Sequence, residues 1–450
     1  MERAILVAGC GRSGVEATNL LLSQGAKVIL YDSNEKADRE KVLEKLSAPV
    51  EIVLGELTED VISRISSCII SPGISLEAPF AMALRAHHID ILSEIEASYR
   101  YEKGTVIGIT GTNGKTTTTT LTGDIMKAWL GEEKAFTAGN IGIPYSREVL
   151  KTAADSYSTL EISSFQLETA KTFKPHISAI LNITPDHLDR HHTMECYADM
   201  KKRITMNETE DDFVVLNYCD ERLRAFGKSG IRPKVLWFAG EPIHEDGYFL
   251  DGDTLYCRKD GKTEKLMTTA DTLLVGRCNY ENILAAFAIT EAAGVPRETV
   301  LETVKNFHAV PHRIEYTATV NGVRYYNDSK GTNPDAAIQG IRAMTSPTVL
   351  IGGGYDKHLA FDEWIEAFDG KVKELILMGV TKDQIAECAR RHGFNEIVFV
   401  DSMEEAVNEA YRVAKPGDAV LLSPACASWG MFENFEQRGD LFKALVRALK

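Results

Sequence analysis

Thr110-Gly111-Thr112-Asn113-Gly114-Lys115-Thr116 decides how this chain is read. The stretch follows an apolar run at 105–109 and opens a helical pattern. A glycine-rich turn in that position presents backbone N–H groups, and the positive end of a helix, to a phosphate. Strict phosphate-loop spacing would place a glycine at Ile109, and the chain departs from it there. Gly-x-x-Gly-Lys-Thr nevertheless retains the parts the chemistry needs. Lys115 offsets charge between the β and γ groups of a nucleoside triphosphate, and Thr116 reaches its magnesium. The triphosphate set read from this stretch is Gly111, Thr112, Asn113, Gly114, Lys115, Thr116 and Thr117.

Upstream lies a second glycine loop, Gly9-Cys10-Gly11-Arg12-Ser13-Gly14, again between a short β-rich run (4–8) and a helical pattern (15–22). Asp32 ends the next β-rich run, as in a dinucleotide fingerprint in which an acid reaches a ribose hydroxyl. NAD and a UDP diphosphate would both use this geometry. Ser71-Pro72-Gly73 follows a further strand signal and makes a second turn at the same sheet edge. Two phosphate loops imply two phosphorylated ligands, and only the second loop carries the lysine and hydroxyl needed to spend one of them.

The chain has 450 residues, too many for one ordinary domain, and strands alternate with helical patterns throughout. Three α/β domains are expected: residues 1–100, Rossmann-like; 101–308, a P-loop-type ATPase with a mostly parallel sheet; and 309–450, Rossmann-like again. The last has candidate strands at 324–327, 348–351, 375–378, 397–400 and 419–422, and residues 240–269 read as an antiparallel insertion. A net charge of −15 argues against a nucleic-acid partner and leaves anion binding to local devices. The 8 cysteines form no C-x-x-C pair, which suits a reducing compartment. No apolar run approaches the ~20 residues of a membrane span, and no signal peptide is apparent. A soluble cytoplasmic protein, monomeric and acting on small molecules, is the expectation.

Several further residues sit after strand signals, where α/β sites collect their chemistry. Glu161 and His187 are two of them, and Glu161 suits magnesium better on ligand type. Lys201-Lys202 alone reads as a solvated helix face. Asn327-Asp328-Ser329-Lys330-Gly331-Thr332-Asn333, Gly352-Gly353-Gly354-Tyr355-Asp356-Lys357 and Ser423-Pro424-Ala425-Cys426-Ala427-Ser428-Trp429 are polar loops at the edge of one sheet.

Taken in order with Glu161-Ile162-Ser163-Ser164-Phe165-Gln166, Asp186-His187-Leu188-Asp189-Arg190-His191, Asn279-Tyr280-Glu281-Asn282 and His312-Arg313-Ile314-Glu315, these motifs resemble the bacterial cell-wall Mur ligases over nearly the whole chain. The serine-rich C-terminal loop and Phe435-Glu436-Gln437-Arg438-Gly439 resemble the branch that adds D-glutamate. The resemblance implies an ATP- and magnesium-dependent amide ligase that extends UDP-N-acetylmuramoyl-L-alanine through an acyl phosphate. It implies that Ser13, Asp32, Ser71, Pro72 and Gly73 bind UDP, and that Asn140 and Ser163 contact the muramoyl group. Thr116, Glu161, His187 and a carbamylated Lys201 would hold magnesium. Asn282, Arg313 and Asp328 would position ATP, while Lys330, Thr332, Lys357, Ser428 and Phe435 would frame the glutamate. Lys115, His187, Lys201 and Lys330 are the implied catalytic set. Gly331 replaces the usual alanine, which should be tolerated, and Gly430 stands where aspartate is common. Another amide ligase of the family, an NAD-dependent oxidoreductase and a nucleotide sensor are the competing readings.

Overall fold

The computed structural model describes residues 3–356 and 359–449. Its first sheet is built on β1 (Ala4–Ala8), whose Leu6, Val7 and Ala8 are fully buried. With β2 (Val28–Asp32), β3 (Glu51–Leu54), β4 (Ile65–Ile70) and β5 (Asp90–Ser93) it forms a parallel sheet of order β3-β2-β1-β4-β5. The order reverses between β1 and β4, so the loops leaving those strands flank the crevice where such sheets bind ligands. The Arg12–Ser23 helix leaves β1 so closely that a Cβ on Gly14 would lie 1.7 Å from the Gly9 carbonyl oxygen.

The central sheet takes β6 (Thr105–Thr110), β7 (Ala135–Gly139), β8 (Tyr157–Glu161), β9 (Ile177–Ile180), β10 (Phe213–Asn217), β11 (Lys234–Ala239), β12 (Gly247–Asp251), β13 (Thr254–Lys259) and β14 (Lys262–Thr268). Their order is β14-β13-β12-β11-β10-β9-β6-β8-β7, parallel from β7 to β12. The expected antiparallel insertion is thus a continuation of this sheet: β12 lies parallel to β11 before β13 turns back on it. The third sheet adds β15 (Glu315–Val320), β16 (Val323–Asn327), β17 (Thr348–Gly352), β18 (Val372–Leu377), β19 (Ile397–Phe399) and β20 (Ala419–Leu422), in the order β15-β16-β20-β17-β18-β19. β15 was not among the expected strands; it is an antiparallel edge, hairpinned to β16.

Each sheet with its helices is an α/β domain, three in all. The chain divides into two compact units, Met1–Leu266 with Asn282–Val304, and Met267–Glu281 with Lys305–Lys450. Inside the first unit a buried carboxylate ties the first domain to the second. Glu96, in the Glu94–Tyr99 helix, accepts the backbone N–H groups of Lys171, Thr172 and Phe173 (2.9–3.0 Å) and the Thr172 hydroxyl (2.6 Å). Burial pushes its carboxyl up, but those four donors outweigh it and hold it below the ordinary carboxylate range. No helix among the described residues is long and apolar enough to cross a membrane.

Candidate functional site

The loop after β6 is pinned from the adjacent β9 side. Asn182 accepts the Thr112 N–H on its carbonyl (2.9 Å) and the Asn113 N–H on Oδ1 (2.8 Å), and its Nδ2 donates back to the Asn113 carbonyl (3.1 Å). The Lys115–Leu130 helix then starts from Gly114, whose φ of 83° lies in the left-handed region that favours glycine. A Cβ there would meet Asn282 Oδ1 at 2.3 Å. Asn282, which the Thr118 hydroxyl bonds at 3.2 Å, therefore rests on this loop. Lys115 Nζ donates to the carbonyls of Gly111 (2.9 Å) and Thr112 (2.8 Å), and Thr116 and Thr117 are buried in the first helical turn.

Lys201 corrects the reading of its pair as a solvated face. It is buried, 2% exposed, and its Nζ donates to the same Gly111 carbonyl at 2.8 Å, above the Tyr197 ring. Burial first, and the Lys115 ammonium second, depress its pKa well below the ordinary lysine value, with Asp186 pulling the other way. Only Lys202 keeps a partly solvated side chain, paired with Asp199.

Glu161 is the last residue of β8, a strand-end position as read. Its Oε1 accepts from Asn140 Nδ2 at 2.8 Å, while Oε2 is buried without a hydrogen-bond partner. An orphaned anionic oxygen beside a phosphate loop suits a hard cation. His187 is not at a strand end. It lies on the long segment beyond β9, exposed, with φ 52°, beside Asp186 (3.4 Å) and the Phe165 ring (centroids 4.8 Å).

In the first domain the loops after β1 and β4 adjoin, since the Ser71 N–H donates to the Ala8 carbonyl at 3.0 Å. Ser71 Oγ is buried and unpartnered, the state expected of a hydroxyl that meets a ligand. Pro72 and Gly73 continue that turn, and Ser13 lies half-buried in the first turn of the Arg12–Ser23 helix. Asp32 props the glycine loop, accepting the Cys10 N–H at 2.8 Å and the Asn34 N–H at 3.0 Å. Ser163 caps the Ser164–Leu167 helix through a reciprocal box with Gln166. Arg190, to which no role was attached, spans both domains: its guanidinium grips Glu168 with two bonds, covers Phe165 at 4.0 Å and donates to the Pro72 carbonyl at 2.9 Å.

In the second unit the loops after β16, β20 and β17 share one sheet edge. Asp328 is buried, accepts from the Ser423 hydroxyl at 2.7 Å, and burial pushes its carboxyl up to about 7 despite that bond and the Arg313 charge. Arg313 itself has a buried, unpartnered Nε. Lys330 Nζ stands 5.4 Å over the Phe435 ring, which meets the His312 ring edge-on at 5.8 Å. Thr332 sits in the same loop, its N–H on the Lys330 carbonyl, and Ser428 is buried. Lys357 lies outside the described residues. Arg438, unassigned by sequence, is the hub. Its Nε bonds Ser329 Oγ (2.9 Å), Nη2 the Ser329 carbonyl (2.8 Å) and Nη1 the Cys426 carbonyl (3.2 Å). Gly430 has φ 85°, in the left-handed region that glycine adopts freely.

Comparison with known proteins covers all three domains. Residues 3–93 match the Mur ligase MurD-like N-terminal domain, 109–290 the Mur ligase middle domain, and 312–426 the Mur ligase glutamate ligase domain. A UDP-N-acetylmuramoylalanine–D-glutamate ligase of Lachnospira eligens is 51% identical over 449 residues, covering 100% of this chain and 99% of its own. One of the same name from Lachnoclostridium phytofermentans is 47% identical over 452 residues, with coverage of 100% and 99%. Among solved structures, UDP-N-acetylmuramate-alanine ligase MurC of Thermotoga maritima superposes with a TM-score of 0.61 at 20% identity, covering 99% of this chain and 100% of the other. A pseudomurein peptide ligase type C of Methanothermus fervidus gives 0.58 at 17%, with full coverage of both. Matched in every domain and half identical to a full-length relative, this chain belongs to the Mur ligase family.

Proposed function

We propose that this Mur ligase joins D-glutamate to UDP-N-acetylmuramoyl-L-alanine at the expense of ATP, in the synthesis of peptidoglycan precursors. The observation that carries the reading is the pair of lysine amines meeting on the Gly111 carbonyl of a phosphate loop. A carboxylate has no leaving group, so it must be activated before an amine can displace one. The alanyl carboxylate attacks the γ-phosphorus, the bond to the β-phosphate oxygen breaks, and ADP leaves an acyl phosphate. The glutamate nitrogen then attacks the carbonyl carbon, loses a proton, and expels inorganic phosphate.

Two anions must approach each other in the first step, and the chain's own groups lower that barrier. Lys115 swings from its loop carbonyls onto the phosphates, and the amides of Gly111 to Thr117 hold them. Asn282, Arg313 and Asp328 position the nucleotide. Magnesium, held by Thr116, Glu161, His187 and Lys201, supplies charge screening when bound. Lys201 serves as a carbamate: burial lowers its pKa and favours the neutral, nucleophilic amine, which adds carbon dioxide with loss of one proton and gains one negative charge shared by two oxygens. UDP is held by Ser13, Asp32 and Ser71 to Gly73, and the muramoyl group by Asn140 and Ser163. Lys330, Thr332, Lys357, Ser428 and Phe435 frame D-glutamate. In domain terms, 1–100 binds UDP, 101–308 binds ATP and 309–450 binds the amino acid, in a monomer.

Phosphate release is the test. It should require magnesium, ATP, UDP-N-acetylmuramoyl-L-alanine and D-glutamate together. Equal ATP turnover without the UDP compound, or equal use of L-lysine or L-glutamate, would overturn the assignment.

A further inference from the structure

Away from this machinery, two helices of the third domain gather three side chains that bind metals. Asp362 opens the Asp362–Glu366 helix, Cys388 lies within the Lys382–Arg391 helix, and His392 caps that helix. One ligand atom from each lies within 4.8 Å of the other two. His392 Nε2 is 2.9 Å from Asp362 Oδ1, and its Nδ1 is 3.8 Å from Glu366 Oε1. Cys388 and His392 stand four residues apart, as do Asp362 and Glu366, so each pair occupies one helix face.

We propose that Asp362, Cys388 and His392 bind a borderline-soft dication of the zinc class, which clamps the two helices together. The donor set decides the ion. Magnesium and calcium take oxygen ligands, whereas sulfur, imidazole and carboxylate together suit tetrahedral zinc, with water in the fourth position. Glu366 stands on the far ring nitrogen, where a carboxylate commonly orients a metal-bound histidine. The buried Cys388 thiol also bonds the Asp362 carboxylate, so sulfur, imidazole and carboxylate converge on one point. Arg391 Nη2, 3.5 Å from Asp362, is the competing cation; its side chain is mostly exposed and free to swing into solvent. On binding, the Cys388 S–H bond gives way to a metal–sulfur bond and the proton goes to water.

Cobalt titration of the chelator-treated full chain tests the site. A thiolate-to-cobalt band should grow in the near ultraviolet, saturate at one equivalent and vanish on adding zinc, and zinc should raise the melting temperature. Cys388→Ser and His392→Gln should each abolish both effects, while Cys196→Ser, at an exposed cysteine, should leave them unchanged. His392 lies at the surface, so its variant remains informative if Cys388→Ser folds poorly. Equal cobalt uptake by wild type and His392→Gln, displacement by magnesium, or no thiolate band would each overturn the proposal.

Discussion

The side-chain nitrogens of Lys115 and Lys201 donate to one oxygen, the Gly111 carbonyl, at 2.9 and 2.8 Å. Burial first, and repulsion from the Lys115 ammonium second, hold the Lys201 pKa well below the ordinary lysine value. On the proposed role, Lys201 accepts carbon dioxide. Lys201→Ala should lower turnover by roughly 10²-fold or more, as losses of transition-state charge stabilisation do. Short carboxylates should restore part of it, and labelled bicarbonate should give a carbamate carbon signal in wild type alone. A variant with undiminished turnover would remove Lys201 from the mechanism.

Asn140 holds one oxygen of Glu161 and leaves the other orphaned. Its removal should loosen the carboxylate and weaken magnesium by about 10–100-fold, the usual cost of losing a partner to a metal ligand. Asn140→Ala should therefore raise the magnesium concentration for half-maximal activity. An unchanged magnesium curve with a poorer UDP-substrate KM would confine Asn140 to substrate contact.

Gly331 bears on the expected tolerance of alanine there. A Cβ would stand 2.7 Å from Asp328 Oδ2 and 3.1 Å from Ser423 Oγ, the two atoms of a buried hydrogen bond. Gly331→Ala should cost about 1–3 kcal/mol, the range for overpacking, in urea unfolding. No loss would mean that the Asp328 carboxylate yields freely.

Glu208 is fully buried, and neither carboxyl oxygen has a hydrogen-bond partner. Burial pushes it up to about 9 from an ordinary 4.5. Its folded pKa is raised, so stability is highest below the unfolded value and falls as pH climbs between the two. The slope is ~1.4 kcal/mol per pH unit from this group. Glu208→Gln should gain on wild type steadily from pH 5 to pH 9 in urea titrations. Parallel stability profiles would show that the carboxyl is solvated.

Sequence alone located both glycine loops because their contacts are local: strand, glycine turn and helix follow one another. The strands it located were runs of Val, Ile and Leu. It passed over β15, Glu315–Val320, whose polar alternation marks a half-covered edge, and misplaced His187, which the chain carries well beyond β9. Arg190 and Arg438 escaped for another reason. Each draws its role from partners far along the chain, Pro72 for the first and Ser329 for the second. The burial of Lys201 likewise depends on packing that a pair of adjacent lysines does not announce.

The Glu96 anchor bears on how this enzyme can be taken apart. A cut near residue 100, the apparent seam, would leave Glu96 in one fragment and the amides of Lys171, Thr172 and Phe173 in the other. Each fragment would expose bonding groups shaped for the other. Swapping the first domain among relatives therefore calls for carrying the 171–173 turn along with it, and a cassette cut at the seam should yield insoluble protein. A carboxylate just short of the expected domain boundary behaves as a keystone for anyone redesigning the molecule.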